Sequence, residues 1–132
     1  LIYLDSCILV YAIESDPMFG RRVIEALDSN ASIEFAISSL VKLECLVKPF
    51  GSANLALQRY YEAAFDTLLL LPMTDEIYVS AAQLRARFNL RTPDALHLSC
   101  AQHHRCSSLW TNDNRMVEAG HGLAFNIVKD QD

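Results

Sequence analysis

No run of apolar residues in the sequence is long enough to cross a membrane. Leu68 to Leu71 is uninterrupted aliphatic chain, but a span needs roughly 18 such residues. The N-terminal LIYLDS has neither the basic region nor the long apolar region of a signal peptide, so a soluble, cytoplasmic chain is expected. An initiator Met is also missing, as expected of a trimmed chain. Glycine and proline are scarce, with four of each in 132 residues, which excludes collagen-like and low-complexity architectures. Positive charge is in short supply too. Eleven Lys and Arg face 16 Asp and Glu, a formal net charge of -5, which argues against a broadly basic nucleic-acid-binding surface. It leaves a nuclease open, because acids gathered around a metal add to the negative count. Cys7, Cys45, Cys100 and Cys106 form no CxxC pair and adjoin apolar segments, so they are expected to be reduced, buried thiols.

What is present suits a compact α/β chain: 52% hydrophobic and 20% charged residues, long enough for one domain over residues 1–132. Leu1 to Leu4 is a short apolar run, fit for a central parallel strand buried on both faces and closed by Asp5. Ser6 can cap a short helix carrying Ile8, Leu9, Tyr11, Ala12 and Ile13, which Glu14-Ser15-Asp16-Pro17 ends. Phe19, Val23, Ala26 and Leu27 recur at helical spacing. Ile33 to Ile37 reads as a second strand, and Ser38-Ser39 as the cap of a helix from Leu40 to Val47, stopped by Lys48-Pro49-Phe50-Gly51.

Further on, Leu57, Tyr61, Ala64, Phe65 and Leu68 mark a longer helix, and Leu69 to Leu71 a third strand. Ile77, Ala81, Leu84 and Phe88 mark another helix. Thr92-Pro93-Asp94 reads as an N-cap, a first-position proline and a first-turn acid, opening a helix that ends near His104. Leu109-Trp110-Thr111 is a strand that delivers Asp113 to the carboxyl edge of the sheet, and Phe125 to Val128 a final edge strand. Strands alternating with helices imply a mostly parallel sheet, right-handed crossovers and helices on both faces.

Most acids lie among polar residues, but Asp5, Glu44, Asp94 and Asp113 abut apolar segments at positions that such a sheet brings to one edge. Each has an ordinary role open to it: a cap for Asp5, a helix-terminal acid for Asp94, a turn residue for Asp113, and for Glu44 an ion pair with Lys48 at i+4. Together they repel, so packing is expected to raise their pKa values unless a cation neutralises them. Hard ions such as Mg²⁺ or Mn²⁺ take oxygen ligands of this kind. The matching chemistry is phosphodiester hydrolysis by a metal-activated water. A second constellation, His97, Cys100 and His104 at i, i+3 and i+7, is conceivable for zinc but lacks the usual zinc spacings. His97 reads instead as a packed residue or a neighbour of the ligands, one turn below Asp94.

The order IYLDS, SSLVKLE, PDALHL and TNDNRM resembles the PIN domains, in particular the VapC-type toxin ribonucleases of bacterial toxin–antitoxin pairs. The resemblance covers essentially the whole chain. It implies a three-layer α/β fold and a Mg²⁺- or Mn²⁺-dependent endoribonuclease, with Asp5, Glu44, Asp94 and Asp113 as metal ligands and catalytic residues. Ser6, Thr111 and Asn112 fall where the family places supporting polar groups, and Arg115, near the site in sequence, is a further substrate-positioning candidate; Cys7 stands where many relatives carry Asn or Ser, and Met116 where Phe is frequent. Lys42, Arg91 and Arg115 are candidates to meet RNA phosphates. The implied partners are RNA, an antitoxin protein and a second copy of the chain, the last helped by Leu46, Val47, Phe50, Leu57 and Tyr61 around Gly51. A PIN-like module that binds RNA or protein without cutting is the alternative. A phosphatase using Asp5 as a covalent nucleophile is disfavoured, because Asp5-Ser6-Cys7 lacks a second aspartate two residues on.

Overall fold

The computed structural model describes residues 1–129. Five strands form one sheet: β1 (Ile2–Leu4), β2 (Phe35–Ser38), β3 (Leu69–Leu71), β4 (Ser108–Thr111) and β5 (Ala124–Asn126). Their order is β3-β2-β1-β4-β5, and every pairing is parallel. The short apolar run at the start of the chain thus becomes the central strand, with Tyr3 and Leu4 fully buried. From β1 the chain moves outward through β2 to β3, then returns to the other side of β1 as β4. The sheet therefore switches direction between β1 and β4, the place where open α/β sheets hold ligands beyond their carboxyl ends.

Helices surround the sheet: α1 (Ser6–Ile13), α2 (Gly20–Ser29), α3 (Ser39–Gly51), α4 (Leu55–Phe65), α5 (Asp75–Arg87), α6 (Thr92–His103) and α7 (Asn114–Ala119). Several ends differ from the sequence reading for local reasons. Asp5, rather than Ser6, is the N-cap of α1, its Oδ1 accepting from Ser6 N at 2.7 Å. The N-cap of α6 is Arg91, so the helix begins at Thr92, with Pro93 and Asp94 inside the first turn. Ser38 occupies the N-cap position of α3 but makes no side-chain cap bond. Pro49 does not end α3, which continues to Gly51; near the C-terminus a proline forfeits one backbone bond, and this one is buried. Helix α4 stops at Phe65 instead of Leu68, because Thr67 closes a turn by donating its hydroxyl to the Ala64 carbonyl at 2.7 Å.

Strand β2 starts two residues later than Ile33, which lies exposed. Strand β5 ends at Asn126, whose side chain accepts from Val128 N and turns the chain away before Val128. Gly20 allows α2 to begin against α1, since a Cβ there would stand 2.9 Å from the Tyr11 carbonyl oxygen. All four cysteines are free; burial pushes Cys45 and Cys100 up to about 12, which keeps them as thiols.

Glu14, at the C-cap of α1, ties three helices together. It pairs with Lys48 of α3 and accepts at 2.5 Å from the hydroxyl of Tyr61 of α4, so Lys48 is engaged away from Glu44. Burial works to raise the Glu14 pKa, but Lys48 and Tyr61 outweigh it and hold the carboxyl below its usual value. A depressed carboxylate contributes stability that is present above its unfolded pKa and is lost as pH falls through the folded one. Glu14→Gln should therefore cost about 1 kcal/mol at neutral pH, with the gap from wild type closing in acid. Urea unfolding at pH 7 and pH 3 measures it, and a gap that persists undiminished at pH 3 refutes the assignment.

Candidate functional site

The carboxyl edge around the switch point gathers side chains from four elements. Asp5 leaves β1 fixed on both oxygens, Oδ1 by Ser6 N and Oδ2 by the Thr111 hydroxyl, which donates at 2.8 Å from the end of β4. Only 7% of Asp5 is exposed. Glu44 arrives from the second turn of α3, half-buried. Asp94 lies in the first turn of α6, where Arg91 Nε donates to its Oδ2 at 3.0 Å. Asp113 caps α7, accepting from Arg115 N at 2.8 Å, and its own N–H is held by Thr111 Oγ1 at 3.1 Å. Thr111 thus links the acid after β1 to the acid after β4.

At the base of this group sits His97, which is fully buried. Its Nε2 lies 2.5 Å from Glu44 Oε1 and 3.6 Å from Asp5 Oδ1. An ionised carboxylate can only accept, so Nε2 carries a proton toward Glu44. Among the described residues, Asp5, Glu44 and His97 are the one group of three or more metal-capable side chains whose ligand atoms all lie within 4.8 Å of one another. Asp94 and Asp113 stand outside that inner group, yet near enough for their charges to act on each other. The alternative zinc constellation does not assemble: His97 turns to the acids, and His104 Nε2 donates to the Pro72 carbonyl at 2.8 Å.

The expectation that packing raises the carboxyl pKa values holds at Asp94 and fails at Glu44. Burial drives Asp94 upward, Arg91 opposes it, and Asp5 and Asp113 add to the rise, leaving the group above its ordinary value. Burial also acts on Glu44, but the His97 hydrogen bond and charge, with Ser6 and Arg91, overcome it and depress the pKa. His97 responds in kind: burial would lower its pKa, and Glu44, Asp5 and Asp94 together raise it. The Cys7 thiol is pushed up by burial and then by the charge of Asp5, which disqualifies it as a thiolate nucleophile.

Of the supporting residues, Ser6 and Thr111 touch the acids, while Arg115 is exposed with Nε 4.0 Å from Asp113 Oδ1. Asn112 directs its amide to Tyr11 OH at 2.6 Å, bracing the loop after β4 against α1. Lys42 lies over the Phe65 ring, 5.7 Å from its centroid, and Arg91 pairs with Asp94. The residues missed from sequence are Tyr3 and Ser38, which stand behind His97. The signal was there in Tyr3: a phenol in a strand buried on both faces must find a partner for its hydroxyl.

An all-parallel sheet with acids and a histidine at its switch point defines an open α/β domain with a carboxylate-rich site. The chain belongs to the PIN domain family, whose sequence profile matches residues 2–122. No curated protein matches the chain by sequence. Among solved structures it is similar to a chain of a toxin–antitoxin complex from Klebsiella pneumoniae, at 23% identity and a TM-score of 0.78, covering 96% of this chain and 98% of that one. A chain of VapBC2 from Rickettsia felis, bound to a DNA fragment from its promoter, is 22% identical with a TM-score of 0.80 over the same shares. FitAcB from Neisseria gonorrhoeae gives 18% identity and a TM-score of 0.71, again over 96% and 98% of the chains. At these identities the likeness is one of fold.

The raised pKa of Asp94 has a stability consequence. An elevated carboxyl costs nothing below its unfolded value near 4 and destabilises increasingly as pH rises toward the folded value. Asp94→Asn, which removes the charge and keeps the shape, should therefore melt higher than wild type at pH 7 in chelator, with the advantage vanishing at pH 4. Thermal scans decide it; a variant that melts lower at pH 7 would mean that the Arg91 pair outweighs burial and repulsion.

Proposed function

We propose that the chain is a divalent-metal-dependent endoribonuclease, the toxin of a toxin–antitoxin pair. The observation that carries this reading is the meeting of Asp5 and Glu44 within one ligand sphere at the switch point, with Asp94 and Asp113 close enough to be coupled to it. The donor set fits the ion: carboxylate oxygens from separate elements suit Mg²⁺ or Mn²⁺, which retain several waters. Asp5, Glu44, Asp94 and Asp113 would hold it, and they are the catalytic residues of this reading. When bound, the ion lowers the pKa of an attacking water and stabilises charge on the phosphate. Around it the chain's own groups have defined tasks. Ser6 and Thr111 fix both oxygens of Asp5, so that this acid keeps its orientation before any ligand arrives. Arg91 and Arg115 are exposed beside the acids and can meet phosphate oxygens flanking the cut.

An antitoxin partner is supported by the fold shared with chains of toxin–antitoxin complexes. A mainly apolar cleft of about 380 Å³ with Leu9, Ala12, Ile13, Leu27 and Ile33 in its walls offers such a partner a seat. A homodimer is favoured by the outward row Leu43, Val47 and Phe50 on α3, all exposed at i, i+4 and i+7. Of the residues first suggested for that contact, Leu46 and Leu57 pack partly on the core and Tyr61 is fully buried, so the surface is narrower than the sequence implied. Val47→Glu should convert a dimer to a monomer in light scattering; a wild type that is already monomeric at micromolar concentration removes the proposal.

Cleavage is tested on single-stranded RNA with Mg²⁺ or Mn²⁺ and with EDTA. Asp113→Asn should lose at least about a hundredfold in rate while keeping its fold, since Asn caps a helix as well as Asp. RNA bound but uncut by the wild type in either metal would favour the non-cleaving module. Cleavage unaffected by EDTA would rule out the metal chemistry.

A further inference from the structure

Behind the acids, three polar side chains from three separate elements run in series through the core. Ser38 Oγ of β2 lies 2.8 Å from Tyr3 OH of β1, Tyr3 OH lies 2.7 Å from His97 Nδ1 of α6, and His97 Nε2 reaches Glu44 of α3. Ser38, Tyr3 and His97 are all 0% exposed. Two hydroxyls and an imidazole in a dry core are costly unless each is satisfied, and Ala, Phe and Leu would fill much the same space without that burden. A polar chain of this length is tolerated when it specifies a geometry that apolar packing would leave loose. Its free end identifies what is specified. Glu44 is half-buried and anchored by His97 and Ser6, while Asp5 Oδ1 lies 3.6 Å from the same ring nitrogen.

We propose that Ser38, Tyr3 and His97 form a positioning strut that fixes the carboxylate of Glu44 beside Asp5 and thereby sets the affinity of the site for divalent cations. The strut rests on the metal-nuclease reading of that site. His97 acts as a hydrogen-bond donor to a ligand rather than as a ligand, because its Nε2 proton faces Glu44 and leaves no lone pair for an ion. Tyr3 holds the ring from the opposite nitrogen, so the imidazole cannot rotate out of register, and Ser38 holds Tyr3. Partners of this kind behind a metal ligand typically account for about 10–100-fold in metal affinity. The residues are positioning residues: none of them touches the ion or the RNA.

The test is Mn²⁺ binding to the full chain by calorimetry, with Tyr3→Phe, His97→Leu and His97→Gln beside the wild type. Tyr3→Phe removes one oxygen and should weaken Mn²⁺ binding about tenfold, with turnover regained when Mn²⁺ is raised to saturation. His97→Leu should weaken it further, and His97→Gln, which keeps an N–H that can point at Glu44, should recover part of the loss. Melting in chelator monitors the fold, and Ser38→Ala carries the same comparison if Tyr3→Phe does not fold. Unchanged Mn²⁺ affinity in a folded Tyr3→Phe or Ser38→Ala overturns the strut and leaves the nuclease reading standing. A ¹⁴N coupling from His97 in pulsed EPR of the Mn²⁺-loaded wild type also overturns it, by making His97 a ligand. A wild type that binds no Mn²⁺ removes the metal reading itself.

Discussion

The hydrogen bond from His97 to Glu44 is the contact on which the carboxyl edge depends. A sheet that switches direction between β1 and β4 delivers acids to one place by topology, whatever their mutual repulsion. Repulsion in a partly dry site would raise every carboxyl in turn and favour protonated acids that bind ions poorly. A buried donor within reach of both Glu44 and Asp5 changes that outcome, since it keeps Glu44 ionised against the cost of burial. Glu44 is thus held ionised by a group that is part of the core. Asp94, whose donor is the exposed Arg91, remains raised.

The frame was legible in the sequence where local chemistry and tertiary demand agree. Leu1 to Leu4 reads as a short buried strand from its apolar run alone, and the acid in the first turn of α6 follows from the preference of helix starts for carboxylates. Element ends were less legible, because they are fixed by single contacts. Pro49 lies buried in the last turn of α3, where it forfeits one backbone bond, and Thr67 closes the turn after α4 through its hydroxyl. A pattern of apolar spacing carries neither fact.

The site was legible in its acids and obscure in what surrounds them. Asp5, Glu44, Asp94 and Asp113 stood out because charge beside apolar segments is unusual. The partner of Glu44 did not, since Lys48 at i+4 offers the simpler pairing on a helix while Lys48 in fact reaches Glu14. Contacts such as Tyr3 to His97 and Thr111 to Asp5 join residues far apart in the chain, and only the parallel order of β2, β1 and β4 brings them into register. Polar residues in these short strands therefore report on the fold's third dimension, which periodicity along one strand does not encode.

Two hydrogen-bond donors, His97 and Arg91, hold acids of the site, and their surroundings give them different parts. His97 lies below, with no exposed surface, and its contacts can be broken only by disturbing the core. Arg91 lies above, with its side chain 73% exposed and one hydrogen bond to Asp94. An ion pair so open to water is worth at most about 1 kcal/mol, so Asp94 can exchange Arg91 for another partner at little cost. No comparable exchange is open to His97, because its proton would have to be lost or its ring moved within packed surroundings. The two donors therefore differ in how readily they give up their acids: His97 keeps Glu44 ionised from within the packed core, while Arg91 covers Asp94 through one solvent-exposed contact that is easily exchanged.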